Sequence, residues 1–440
     1  GINAEYGVAM WLLLLVDFCA GCNFGSSISN LSSKIIKYYS ENIGSPFNYQ
    51  DSLILSLLSV SVLIGSMIGS MSVTYFMDRF GRKKVSIVSA ISGMLLNGLT
   101  IIPVHWAFLF IIRILVGIPS AALTTTIPGW LAELATTKQR GILTVLFQLF
   151  VCFGIILSSL ILLVIGENSK NWWVSFLVTC ILCALTAVVC FAMPDTTQGK
   201  DEKQNSAREI SWRELFSKKY TKVLINTFLM GVAQQSTGIN SVIIYATKTF
   251  EKSFDSPMSD VYGSLIISGV NFLATCVALP LIERLGRRWL WFGGYVICCL
   301  GQVMLIVCYA TNSAQWLLIL GSIVFLIGFE IGPGPCFFVL CSETFPAKAR
   351  AKCSGIAFTM NWVFNIIIVL IFPFFDHKEW AAYLTYALLM VIPVIVLWFT
   401  IPETKGKSLL QIEGLLTGES YQPVDIEGPV TDKDGEDFLQ

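Results

Sequence analysis

The chain has 440 residues, of which 55% are hydrophobic and 13% charged, with 29 basic residues balancing 29 acidic ones. No soluble fold of this length needs so much apolar surface, while a zero net charge leaves bulk electrostatics silent on a nucleic-acid or acidic partner. With only His105 and His377, both at predicted helix ends, neither a histidine metal site nor a catalytic triad can be assembled, and a Gly-x-x-x-x-Gly-Lys-Ser/Thr loop for ATP is missing.

Apolar runs long enough to cross a bilayer, which takes about 20 residues, fall near 8–29, 51–76, 84–102, 106–134, 142–165 and 172–193, then near 221–250, 260–282, 289–310, 315–343, 353–374 and 380–401. The expected fold is therefore all-α and integral to the membrane, with twelve transmembrane helices in two pseudo-symmetric six-helix bundles. The first bundle is expected over 1–193, a short cytoplasmic linker over 194–220, the second bundle over 221–401 and an acidic tail over 402–440. The start, Gly1-Ile2-Asn3, has no cleavable signal ahead of the first span and reads as a trimmed N-terminus. The loops of one side carry 22 Lys and Arg against six on the other, with Arg113 left inside the membrane. The excess of positive charge in cytoplasmic loops then places both termini in the cytoplasm.

Thirteen cysteines lie almost wholly inside apolar runs, as Cys19, Cys22, Cys276 and Cys336 do, and their spacing gives no metal or disulfide framework. They read as small core residues.

Three motifs repeat. Asp78-Arg79-Phe80-Gly81-Arg82-Lys83 returns as Glu283-Arg284-Leu285-Gly286-Arg287-Arg288, with the glycines 205 residues apart; Glu133 with Arg140 returns as Glu343 with Arg350; Pro194-Asp195-Thr196 returns as Pro402-Glu403-Thr404. Motifs recurring at nearly one offset on one membrane face indicate parallel six-helix repeats, the pattern of a secondary transporter whose halves rock about a midplane site. Pairing between the acid at one helix end and the arginines of the next would form a cytoplasmic latch that closes and reopens. The alternative is that these charges only set topology.

The most polar stretch inside a span is Gln234-Gln235-Ser236-Thr237-Gly238-Ile239-Asn240. Such groups are costly in hydrocarbon unless something polar meets them, and an amide offers two donors and an acceptor to neighbouring hydroxyls of a polyol. The competing reading is that they only bond neighbouring helices. In the tenth span, Gly332-Pro333-Gly334-Pro335 removes two amide donors and weakens helix propensity, so a bend is expected there.

Taken together with Asn361-Trp362 and Pro402-Glu403-Thr404-Lys405-Gly406, these motifs resemble the sugar porter branch of the major facilitator superfamily, which includes the facilitative glucose transporters; the resemblance runs from Gly21 to Gly406. It implies a sugar site made by Gln148, Gln234, Gln235, Asn240, Asn271, Glu330, Phe338, Asn361 and Trp362, with amides bonding hydroxyls and aromatic faces packing on the C–H face of the pyranose. It implies an outer gating role for Tyr245, while the bend at Gly332, Pro333, Gly334 and Pro335, readable without it, would let the tenth span gate between outward and inward states. The chain departs from the family in having Phe338 where glucose carriers often have Trp, and Pro194-Asp195-Thr196 with a short link to Trp212 where the family has intracellular helices.

Proton-coupled relatives carry an Asp in a Phe-Gly-Tyr-Asp stretch of the first span, near an Arg of the fourth. Here the aligned stretch is Ala20-Gly21-Cys22-Asn23, and Arg113 remains. Loss of the titratable partner points to uniport. Asp17, about 9 Å deeper in the first span, is either a structural partner of a neighbouring helix or a proton site.

The expected function is facilitative transport of a hexose, glucose first, by alternating access, without enzymatic activity, cofactor or metal. The expected partners are a small sugar and the lipid bilayer, with no nucleic acid; the expected form is a monomer in the plasma membrane. The rivals are a proton-coupled sugar symporter and a transporter-like sugar sensor.

Overall fold

The computed structural model describes residues 2–3, 8–29, 35, 38, 39, 41, 52–134, 137–166, 169–194, 210–243, 259–311, 315–346, 348–375, 378–407 and 409–418. Apart from a two-residue antiparallel pair, Ile2–Asn3 with Val8–Ala9, their regular structure is helical. The first half contains α1 (Met10–Ser29), α2 (Ser52–Phe80), α3 (Arg82–Thr100), α4 (Trp106–Leu134), α5 (Thr137–Ile165) and α6 (Val174–Ala192). The second contains α7 (Thr221–Ser236), α8 (Ser259–Leu285), α9 (Arg287–Thr311), the broken pair α10a (Gln315–Ile331) and α10b (Pro333–Thr344), α11 (Arg350–Ile371) and α12 (Glu379–Thr400). A short helix, α13 (Leu409–Thr417), follows.

Among the described residues, nine helical segments are long and apolar enough to cross a bilayer, and α1 adds a shorter apolar run, Trp11–Ser26. The other two spans are more polar for visible reasons. α3 opens on Arg82-Lys83-Lys84 and buries Ser86, Ser89 and Asn97, whereas α7 ends on Gln234-Gln235-Ser236. The outward faces are apolar, as in α12, where Ile392 is 70% and Phe399 78% exposed. A surface of that kind suits lipid.

Lipid tails offer no hydrophobic reason for spans to associate, so close backbone packing must do it. Gly25 of α1 and Gly154 of α5 sit against the carbonyls of Val151 and Cys22, and Gly65 of α2 and Gly117 of α4 against those of Ile114 and Val62; a Cβ at any of the four would collide with main chain. Among the described residues the two halves meet chiefly where α2 packs on α11 and α5 on α8, with α10b also against α5. Trp362 Nε1 donates to Ser70 Oγ at 2.9 Å across the first seam. Ser159 Oγ lies 3.0 Å from both Ser264 Oγ and Ser268 Oγ across the second.

The repeated charged motifs occupy equivalent turns. Gly81 before α3 and Gly286 before α9 have φ of 81° and 91°, a left-handed conformation open to glycine. At the second turn the Glu403 carboxylate accepts the main-chain N–H groups of Arg287 and Arg288, both at 3.1 Å, and so caps α9. Arg287 also pairs with Glu343 at 3.4 Å, joining the start of α9 to the end of α10b within the second half.

The tenth span is interrupted at Gly332 (φ −115°, ψ −90°), and Pro333 begins α10b where a missing N–H is harmless. The seventh span, read from sequence as continuous, also breaks. α7 stops at Ser236, Gly238 takes φ 79°, and a helical stretch resumes over 239–243. Glycine is needed at the break on two counts, its positive φ and the Tyr386 ring of α12, whose Cδ2 would stand 2.5 Å from a Cβ at Gly238.

Candidate functional site

The break in α7 places Gln234 and Gln235 on one side and Asn240 on the other, all facing α11. There the side-chain amides join in a row. Asn361 Nδ2 donates to Gln234 Oε1, and Asn361 Oδ1 accepts from Gln235 Nε2 at 3.1 Å. Asn240 Nδ2 reaches Gln235 Oε1 at 3.3 Å and Asn365 Oδ1 at 2.7 Å. Gln234 Nε2 in turn donates to the carbonyls of Pro333 (3.1 Å) and Gly334 (3.4 Å), at the start of α10b. The row thus ties α7 to both α11 and the broken tenth span.

A second cluster surrounds Glu330, near the end of α10a. Its Oε2 accepts from Thr275 Oγ1 of α8 (3.0 Å), from Gln148 Nε2 of α5 (3.2 Å) and from the Cys152 thiol of α5 (3.6 Å). Two of those three donors belong to the other half of the molecule. Asn271, one turn before Thr275, is buried, and its Oδ1 has no hydrogen-bond partner among the described residues. An unmet buried acceptor beside a ring of donors and acceptors is suited to meeting a hydroxyl.

Aromatic rings close the polar region. Phe338 lies 5.4 Å from Phe147 of the first half and 5.8 Å from Phe358, centroid to centroid. Trp362 approaches Phe24 of α1 at 5.7 Å, while its N–H is directed to Ser70. The rings therefore bridge the two halves around the amides.

Sequence reasoning missed Asn365, Thr275 and Cys152. All three carried a signal: each lies four residues after a residue singled out from sequence (Asn361, Asn271 and Gln148), hence on the same helical face. Tyr245 lies outside the described residues, as do the side chains of Asp78, Glu133, Arg140 and Glu283. Arg79 is exposed and donates to Tyr75 Oη at 3.1 Å; Arg284 is exposed, and its carbonyl accepts Lys405 Nζ at 2.8 Å; Arg82 is half-buried and Arg350 buried.

In the first half, Asn23 Oδ1 accepts the Cys183 thiol at 3.2 Å. Asp17 is fully buried, and neither of its carboxyl oxygens has a partner among the described residues; Arg113 is 2% exposed, with its Nε unmet. Among the described residues no group of three or more His, Cys, Asp and Glu is arranged to hold a metal ion.

A family model described as "Sugar (and other) transporter" matches residues 13–204 and again 196–416. The glucose transporter GlcP of Staphylococcus epidermidis is 27% identical over 392 residues, covering 80% of this chain and 86% of that protein. The human solute carrier family 2, facilitated glucose transporter member 3, is 27% identical over 462 residues, covering 94% and 92%. Among solved structures, the proton:xylose symporter XylE bound to 6-bromo-6-deoxy-D-glucose superposes with a TM-score of 0.81 at 22% identity, over 94% of this chain and 100% of that one. XylE from E. coli in a partially occluded inward-open conformation gives 0.73 at 23% identity, over 92% and 100%. The architecture is that of the major facilitator superfamily.

Proposed function

The chain belongs to the sugar transporter family of the major facilitator superfamily, and from that premise we propose that it is a facilitative hexose carrier, with glucose as first substrate, working by alternating access. The observation that carries this reading is the row Gln234, Asn361, Gln235, Asn240 and Asn365, five buried or half-buried amides already bonded to one another. Each bond in the row can be exchanged for one to a sugar hydroxyl without leaving an amide unmet, so entry of a polyol has a low desolvation cost. Glu330, Gln148 and Asn271 extend the site toward the first half, and Phe338 and Trp362 supply apolar faces for the C–H side of the ring.

Uniport is supported by Asn23, which stands where the resemblance to coupled carriers calls for Asp and whose carbonyl oxygen accepts the Cys183 thiol. An amide there does not titrate. The protein is read as a monomer in the plasma membrane, with bundles over 1–193 and 221–401, a linker over 194–220, a tail over 402–440 and both termini in the cytoplasm. Gly332 to Pro335 and Tyr245 act as gates, and the charged motifs around Asp78, Glu133, Glu283 and Glu343 latch the cytoplasmic side.

The test is uptake of radiolabelled glucose into liposomes holding the purified protein, with and without an imposed proton gradient, repeated for Gln234→Ala. Equilibrating uptake that ignores the gradient and is lost in the variant is expected. A second reading, proton symport, is favoured by Asp17, buried and with neither carboxyl oxygen partnered among the described residues. Accumulation above the outside concentration that requires the gradient and disappears in Asp17→Asn would establish it instead.

A further inference from the structure

The break in α7 is held from behind by two residues outside the amide row. Gln302 of α9 is fully buried and its Nε2 donates to the carbonyl oxygen of Thr237 at 2.7 Å. The main-chain bonds at the break run from Gly238 N–H to Gln235 O and from Val242 N–H to Gly238 O, both 2.9 Å, and use neither group of Thr237. The Gln302 Oε1 has no partner among the described residues. A buried amide with half its capacity unmet contributes through the bond it does make. That bond satisfies a carbonyl released where the helix stops.

The other support is Tyr386 of α12, also fully buried. Its ring occupies the space a Cβ at Gly238 would need, and its hydroxyl reaches Ser241 Oγ (3.2 Å) and donates to Ile368 O (2.9 Å). Ser241 Oγ also donates to Ile368 O, at 3.3 Å. Tyr386 therefore joins the far side of the break to α11, three residues beyond Asn365. Gln302 grips one side of Gly238 and Tyr386 the other.

We propose that Gln302 and Tyr386 are positioning residues that hold the break in α7 against α11, so that the amides of both helices keep one spacing and meet the sugar as a rigid unit. This rests on the reading of the amide row as the sugar site. Neither residue lines the row, and each acts through main chain or through Ser241.

The experiment uses the full chain as Gln302→Met, which keeps the volume and removes the donor, and Tyr386→Phe, which keeps the ring against Gly238. Two quantities are read: glucose uptake kinetics in liposomes, and main-chain hydrogen exchange of the peptide covering 234–243 in micelles. Each variant is expected to raise KM about three- to tenfold and to speed exchange in that peptide while α1 to α6 exchange as before. The maximal rate is expected to stay within about twofold, as when binding alone is weakened. Unchanged exchange in both variants overturns the proposal, as does unchanged KM when the wild type transports glucose. Failure of both variants to fold also overturns it, because the bonds would then serve stability rather than spacing. If the wild type neither binds nor transports glucose, the site reading fails, while the exchange measurement still decides the bracket.

Discussion

Asn361 is bonded through both ends of its amide, to Gln234 on one side and to Gln235 on the other. Asn361→Leu would leave a buried acceptor and a buried donor unmet together, at about 1–3 kcal/mol each. Weakening of glucose affinity by roughly tenfold or more is expected, measured as the shift in melting temperature that glucose produces. Asn240 and Asn365 share one 2.7 Å bond, which makes a sharper test. Asn240→Ala and Asn365→Ala should each raise KM, and the double variant should raise it by less than the product of the two, because the second change removes a bond already lost. Additive effects in that cycle would show that the two side chains act separately.

At the scale of the helix, what was legible in the sequence depended on whether the cause was local. The interruption of the tenth span is written in Gly332-Pro333-Gly334-Pro335, since proline withholds a donor wherever it stands. The break of the seventh is not, because the polar stretch 234–240 contains no proline or other local stop, and the left-handed φ of Gly238 and the Tyr386 ring against it appear only with the fold. Asn361 was legible through the resemblance, but its pairing with Gln234 depends on how α7 lies on α11, which periodicity does not reveal. Likewise Glu403 announced itself only as part of a repeated motif, and its work as the cap of α9 appeared with the fold. Gly332→Ala should therefore be poorly tolerated, its Cβ arriving 2.6 Å from both Gly294 Cα and Leu290 O. Overpacking of this kind costs about 1–3 kcal/mol. A lower melting temperature together with lost uptake is expected, and Gly294→Ala, which meets the same contact from the other side, should behave alike.

For the whole molecule, the seams between the halves decide what can move. At the α2–α11 seam, Gly355 faces Thr74, and a Cβ there would collide with Thr74 Oγ1; the Thr74 hydroxyl also reaches Ala351 O at 3.5 Å. Gly355→Val places a wedge in that seam without touching the amide row. Transport is expected to fall while glucose still raises the melting temperature, since a carrier held off one end of its cycle binds but does not turn over. Equal loss of binding and transport would show instead that the seam and the site are one structure.

The cap on α9 bears on how the protein is made. The carboxylate that holds the main chain of Arg287 comes from a residue 116 positions later in the chain. During synthesis at the membrane, α9 enters the bilayer and waits with a raw N-terminus while three further spans are inserted. Only when Glu403 leaves the ribosome can the main-chain N–H groups of Arg287 and Arg288 meet that carboxylate. A nascent chain stalled or cut just before Pro402 would contain every span and still lack the carboxylate that caps α9, so its second half would be complete in helices and unfinished at that corner.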